Sequence, residues 1–194
     1  MSEQTASPVQ VVDGADVPAP GSWVIDSAHS TVGFWVRHLG VTKVRGRFTD
    51  VAGAIHIAED RRSSSATVTI DASSIDTHEP QRDDHLRSAD FLDVANFPAL
   101  TFATTNVVHK GRKWLVVGDL TIRGVTRQVV LDAEFGGGAV DPWGQEHLMF
   151  TAEAVIDRED FGLTWNQALE TGGVLVGKRV TIELEVSLVR EDVA

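Results

Sequence analysis

The chain has 194 residues, 42% hydrophobic and 23% charged, with no cysteine. That composition supports one domain with a packed core, and it excludes disulfides, thiolate metal sites, iron–sulfur clusters and cysteine nucleophiles. A formal net charge of −11 and a pI near 4.9 argue against nucleic-acid binding and against attachment to an anionic lipid surface.

Residues 1–21 read as a disordered tail, because Pro8, Pro18 and Pro20 stand among polar residues that build no packed face. Glu3 occupies the place of a leader's basic region, and Asp13 and Asp16 break the apolar stretch. A cytoplasmic protein is expected. No apolar run is long enough for a membrane span, so no stable membrane insertion is expected either. The domain proper is expected over residues 22–191.

That body is written in period two. Strands are expected over 31–38, 43–48, 53–57, 66–71 and 100–107. They continue at 114–122, 125–135, 148–156 and 180–188, where Trp114, Val116 and Leu120 alternate with Asp119 and Thr121, and Ile182 and Leu184 with Glu183 and Glu185. The apolar parity reverses between Phe48 and Ile55, and Gly53 suggests a bulge there. Arg123-Gly124 joins two strong strands in two residues, a tight-hairpin signal that sets Ile122 opposite Val125 and Leu120 opposite Arg127. One helix interrupts the strands around residues 80–96, with Pro80 at its first position and Asp83 and Asp84 at the positive end of its dipole. With short turns and no β-α-β rhythm, the pattern is all-β, an antiparallel sandwich or closed barrel.

Few residues point to chemistry. No nucleophile elbow, phosphate loop or dinucleotide fingerprint is present. His78, Asp84 and His85 gather at the helix start and offer a metal-dependent enzyme as the alternative reading, but their spacing matches no known metal motif, and helix capping explains the acids. Lys43, Arg45 and Arg47 alternate with Val44, Gly46 and Phe48, as a solvated strand face or as a positive patch for an anionic ligand group. Arg127 shares the parity of Val125 and Val129, so it either snorkels at a rim or meets an anion inside. Large and very small residues mix on the inward faces. Gly46, Gly118, Ala152 and Ala154 favour a void, with a tightly packed core as the other possibility.

Several segments in order resemble one family. Trp23-Val24-Ile25-Asp26-Ser27-Ala28-His29-Ser30 with Val32-Gly33-Phe34, then Lys43 to Phe48, are similar to the first strands of the YceI-like polyisoprenoid-binding family. Arg82 to Asp93 with Phe97-Pro98, Gly118 to Arg127, and Arg158 with Asp160-Phe161-Gly162 and Gly177 continue the likeness through about residue 190. The resemblance implies an extended, eight-stranded, lipocalin-like antiparallel barrel that encloses a long isoprenoid quinone, isoprenoid pyrophosphate or similar amphiphile, commonly as a homodimer. It implies neither catalysis nor a cofactor. On this reading Phe34, Val36, Val44, Phe48, Phe102, Trp114, Val116, Leu120, Phe150 and Ile182 line the interior. The segment 158–179, with Phe161, Leu163 and Trp165, closes one end, and Arg127 touches a head group.

Overall fold

The computed structural model describes residues 7–170 and 172–191. Val9–Val12 (β1) and Ala15–Pro18 (β2) pair as an antiparallel hairpin. Its turn residues, Asp13 and Gly14, have φ of 50° and 78°, the pair of positive values that suits a two-residue connection. The expected tail is therefore corrected for residues 9–18, while residues 1–6 lie outside the described residues. The hairpin is held by its apolar face and by one cation. Val17 is buried, and Val9 packs on the barrel core. Arg61 Nη2 donates to Pro18 O at 3.0 Å and to Gln10 Oε1 at 3.1 Å.

Six strands follow: β3 (Gly21–Ile25), β4 (Thr31–His38), β5 (Thr42–Phe48), β6 (Val51–Ile57), β7 (Ser65–Asp71) and β8 (Ile75–Asp76). After helix α1 (Pro80–Arg87) come β9 (Ala99–Lys110), β10 (Lys113–Ile122), β11 (Val125–Val140), β12 (Glu146–Asp157) and β13 (Val176–Arg190). The order β3-β6-β7-β9-β10-β11-β12-β13 closes on itself, because β13 pairs with both β12 and β3. This is the closed eight-stranded antiparallel barrel. β4 and β5 prolong β3 and β6 beyond the ring, since β13 leaves β3 at Leu188 and pairs with β4 from Glu185 to Val176. A 3₁₀ turn at Ser27–His29 makes the change of direction, and the Asp26 carboxylate caps it by accepting from Ala28 N at 3.1 Å.

The Arg123–Gly124 turn is as the spacing predicts. Both residues have positive φ, and Ile122 faces Val125 while Leu120 faces Arg127. The parity reversal expected at Gly53 falls earlier, between Phe48 and Val51, where Thr49 N turns aside to Ser74 O at 3.2 Å. Gly53 sits in regular register opposite Val68. Its missing side chain makes room for Ile25, whose Cδ1 would stand 2.7 Å from a Cβ.

α1 stops at Arg87, short of the expected residue 96. Glu79 caps its start, accepting from Gln81 N at 3.2 Å, and Ser88 Oγ closes its end by donating to His85 O at 2.7 Å. A turn follows, with Asp93 at φ 51°. It buries both Phe91 and Leu92, neighbours that a continued helix would splay by about 100°. Arg87 fastens the helix to the strand end, Nε donating to Ser73 O at 2.8 Å and Nη2 to Ile75 O at 2.9 Å.

Candidate functional site

The inward faces build two different interiors along the barrel. At the end covered by β1–β2, Trp23, Trp114, Phe135 and Leu148 interlock as a solid core. Phe150 meets Trp114 edge to face at 6.0 Å and Phe135 at a tilt at 5.2 Å between ring centres. At the other end the walls stand apart around a cavity of about 240 Å³. Strands β4, β7, β9, β10, β11 and β13 form most of its wall, and Leu86, Phe91 and Leu92 close the side where β5 and β9 do not pair.

Seven of the expected residues line this cavity: Phe34, Val36, Phe48, Phe102, Leu120, Leu163 and Ile182. The other seven do not. Trp114 and Phe150 belong to the solid end, and Val116 packs at the boundary between the two clusters. Val44 is half-buried opposite Val36 without reaching the cavity. Phe161 and Trp165 pack in the cluster around the hollow without lining it. Arg127 is exposed and donates from Nη1 to Thr126 O at 2.9 Å. It has the inward parity, yet it lies so near the Arg123–Gly124 turn that it snorkels into water.

The small residues make room for rings, not for a void. A Cβ at Gly118 would stand 2.3 Å from Phe102 Cζ, and one at Gly46 would stand 2.4 Å from Phe34 Cζ. Ala152 packs within the solid end.

The wall has one polar side chain, Arg158, only 4% exposed. The even parity of Ala154 and Ile156 continues to this residue, a signal that marks it as an inward candidate. Its Nε donates to Gly177 O at 2.9 Å and its Nη1 to Leu163 O, which ties the connection after β12 to the start of β13. Its Nη2 is buried without a partner. Burial pushes its pKa down, opposed by the charges of Glu159 and Asp157, but a guanidinium remains protonated in any protein setting. A buried cation with one unpartnered nitrogen thus stands in the wall of an apolar hollow.

The connection from β12 to β13 folds against this end. Arg158–Phe161 forms a 3₁₀ turn. Asn166 grips Val176 with both amide atoms, donating to its carbonyl at 2.7 Å and accepting from its N–H at 3.0 Å. Trp165 meets His85 at 4.6 Å and Phe91 at 5.3 Å between ring centres.

The metal alternative fails on geometry. His78 lies 3.5 Å from Asp76, His85 lies 2.8 Å from Asp90, and Asp84 pairs with Arg87 at 3.1 Å. Among the described residues, no three of His, Cys, Asp or Glu converge as a metal requires. Lys43, Arg45 and Arg47 lie on the outer face, over Trp35, against Glu183 and against Asp76 respectively.

A closed antiparallel barrel with one packed end and one apolar hollow end defines the lipocalin-like class. The chain belongs to the YceI-like domain family, whose model matches residues 23–188. A UPF0312 protein of Staphylococcus aureus is 40% identical over 164 residues, covering 84% of this chain and 94% of its own. The Campylobacter jejuni YceI protein superposes with a TM-score of 0.69 at 30% identity, over 87% of this chain and 97% of that one. BcnA of Burkholderia cenocepacia shares the fold at 22% identity, with a TM-score of 0.74 over 84% of this chain and 98% of its own. A polyisoprenoid binding domain from Saccharophagus degradans shares it at 15% identity, with a TM-score of 0.67 over 87% and 98%. Among the described residues no helix is long and apolar enough to cross a membrane.

Proposed function

We propose that the chain binds a long-chain isoprenoid or similar amphiphile in the hollow end of its barrel, for transport, storage or sequestration. The observation that carries the reading is an apolar cavity of about 240 Å³ whose single polar wall group is a buried, half-satisfied arginine. An apolar cavity of about 150 Å³ stays dry and takes up benzene. On that scale this one takes up on the order of ten carbons, roughly two isoprene units. Their burial contributes roughly 6–8 kcal/mol gross at about 0.8 kcal/mol per carbon, while association costs about 4–15 kcal/mol. Hydrocarbon burial alone is therefore marginal. A ligand group that reached the unpartnered Arg158 Nη2 would decide the balance, because a charge-assisted hydrogen bond adds about 1.5–3 kcal/mol. The preferred ligand is an amphiphile with an acceptor or anionic group, not a plain hydrocarbon.

Binding without turnover fits the same wall, since its one polar residue is a guanidinium and it holds no general base. A homodimer and a cytoplasmic site of action complete the proposal; sedimentation equilibrium and cell fractionation test them. Solvent extraction of the purified protein followed by mass spectrometry tests the central claim. Stoichiometric prenyl or acyl amphiphile is expected. Empty protein that also takes up no added prenyl chain overturns it.

A further inference from the structure

Residues 27–49 hold four Lys or Arg residues and no acidic one, in a chain whose net charge is −11. This segment forms the β4–β5 hairpin at the hollow end of the barrel. Its tip is apolar. Leu39 is 48% exposed and Val41 76%, and Val174 joins them at 46%. The two loops form one surface, because Leu39 N donates to Leu175 O at 2.9 Å and His38 pairs with Val176. Val36 and Val176, at the base of this tip, line the cavity.

Leu39 and Gly40 turn the hairpin with φ of 54° and 71°. Asn or Gly suits such a position, and a branched side chain there is strained. The fold thus tolerates backbone strain to hold a large apolar side chain in water. Around the tip, Arg45 pairs with Glu183 at 2.9 Å, Arg47 with Asp76 at 3.4 Å and Lys178 with Glu159 at 2.7 Å. Arg37 and Lys43 meet no carboxylate among the described residues; one donates to Val41 O at 3.3 Å, and the other lies 3.7 Å over Trp35.

We propose that this tip docks on a bilayer containing anionic lipid. Leu39, Val41 and Val174 enter the headgroup layer, and Arg37 and Lys43 meet lipid phosphates. The cavity mouth then faces the lipid it loads or releases. Charges farther than about 8 Å are screened at physiological salt, so the local charges govern contact: Arg37 and Lys43, against the exposed Glu170 of the loop that carries Val174. The acidic remainder orients the molecule tip-first. Net charge alone argues against such attachment, and its uneven distribution reverses that conclusion.

The purpose of the docking rests on the lipid-binding reading, but attachment is measured separately. Flotation of the full chain with phosphatidylcholine vesicles, with and without phosphatidylglycerol, is the test. Binding is expected only with phosphatidylglycerol, and it is lost at high salt. Each cation contributes roughly fivefold at an anionic surface, so Arg37→Glu with Lys43→Glu lowers binding at least about twenty-fivefold. Val41→Glu lowers it as well. Leu39→Asn lowers it while raising thermal stability by relieving the turn, a pairing that a purely structural role does not give. Val11→Glu, an exposed residue at the opposite end, leaves it unchanged. Absent binding, equal binding to neutral vesicles, or wild-type binding by the tip variants overturns the proposal. Ile182→Phe, which narrows the cavity, lowers prenyl uptake severalfold and still floats; the two readings therefore fail independently.

Discussion

The ring of Phe102 lies over the backbone of Gly118 on the neighbouring strand, so close that a Cβ at residue 118 would also stand 2.7 Å from Ala103 O. One obstacle is a side chain and the other is backbone, so the ring's retreat gives only partial relief. Gly118→Ala is expected to destabilise by about 1–3 kcal/mol through overpacking. Phe102→Leu in the same chain recovers part of that loss, because the two sites share one volume. Urea midpoints of the two single variants and the double variant check this; simple additivity contradicts it.

Position 182 makes the opposite case. Ile182 faces the hollow opposite Phe34 on β4. Ile182→Phe adds volume where space exists, so it costs less than about 1.5 kcal/mol while lowering prenyl uptake severalfold. A fluorescent prenyl probe measured beside a urea titration separates the two effects. Uptake at the wild-type level would place the ligand elsewhere.

Arg158 tests ligand chemistry. Arg158→Met keeps much of the volume but removes the charge and the donors to Gly177 O and Leu163 O. Unmet buried carbonyls cost about 1–3 kcal/mol each when no water reaches them. The expected result is lower stability with reversed selectivity: affinity for an amphiphile with an anionic head falls about tenfold or more, while affinity for a neutral prenyl hydrocarbon holds or rises. Parallel losses for both ligands would make Arg158 a tether alone.

How far the sequence reaches depends on the kind of signal. The strand from Trp114 to Ile122 and its Arg123–Gly124 turn were legible because alternation and turn chemistry are local. The β1–β2 hairpin carries an equally local signal in Asp13-Gly14, flanked by Val9-Gln10-Val11-Val12, but the surrounding prolines masked it. Parity shows which side chains point inward. It does not show at which level rings meet, and so Trp114 and Phe102 read alike although one fills the solid end and the other lines the hollow. That difference depends on facing side chains from strands distant in sequence. Arg158 continues the inward parity, but the strand ends at Asp157 and a 3₁₀ turn begins, so alternation alone does not fix where its side chain points.

Acid stability rests on carboxylates that accept backbone and side-chain bonds. Ser73 donates to Asp71 from both Oγ and N at 2.7 Å, and these bonds, the side-chain one first, hold the Asp71 carboxyl below its ordinary value. Asp141 accepts from Gln145 N and Trp143 N, each at 2.9 Å, and is lowered chiefly by the first of these. The unfolded chain therefore binds protons more readily than the fold. The stabilisation is complete above the unfolded value and is lost as pH falls through the lowered folded one. Asp71→Asn and Asp141→Asn should each flatten the decline in urea midpoint as pH falls below about 5. A decline as steep as that of the wild type would assign the acid limb to other groups.

The β1–β2 hairpin precedes the family-matched segment, residues 23–188, and covers the barrel's solid end. Its contribution should be to stability and not to ligand binding. Val17→Ala removes two buried methyl groups and is expected to cost about 2 kcal/mol. Arg61→Met leaves Pro18 O without its donor, for about 1–3 kcal/mol more. Because Trp23, Trp114 and Phe135 form a rigid plug between hairpin and cavity, neither change reaches the hollow end. Prenyl affinity measured on the folded variants well below their melting temperature should match the wild type. A severalfold loss there, with native circular dichroism retained, would mean that the plug transmits strain from one end of the barrel to the other.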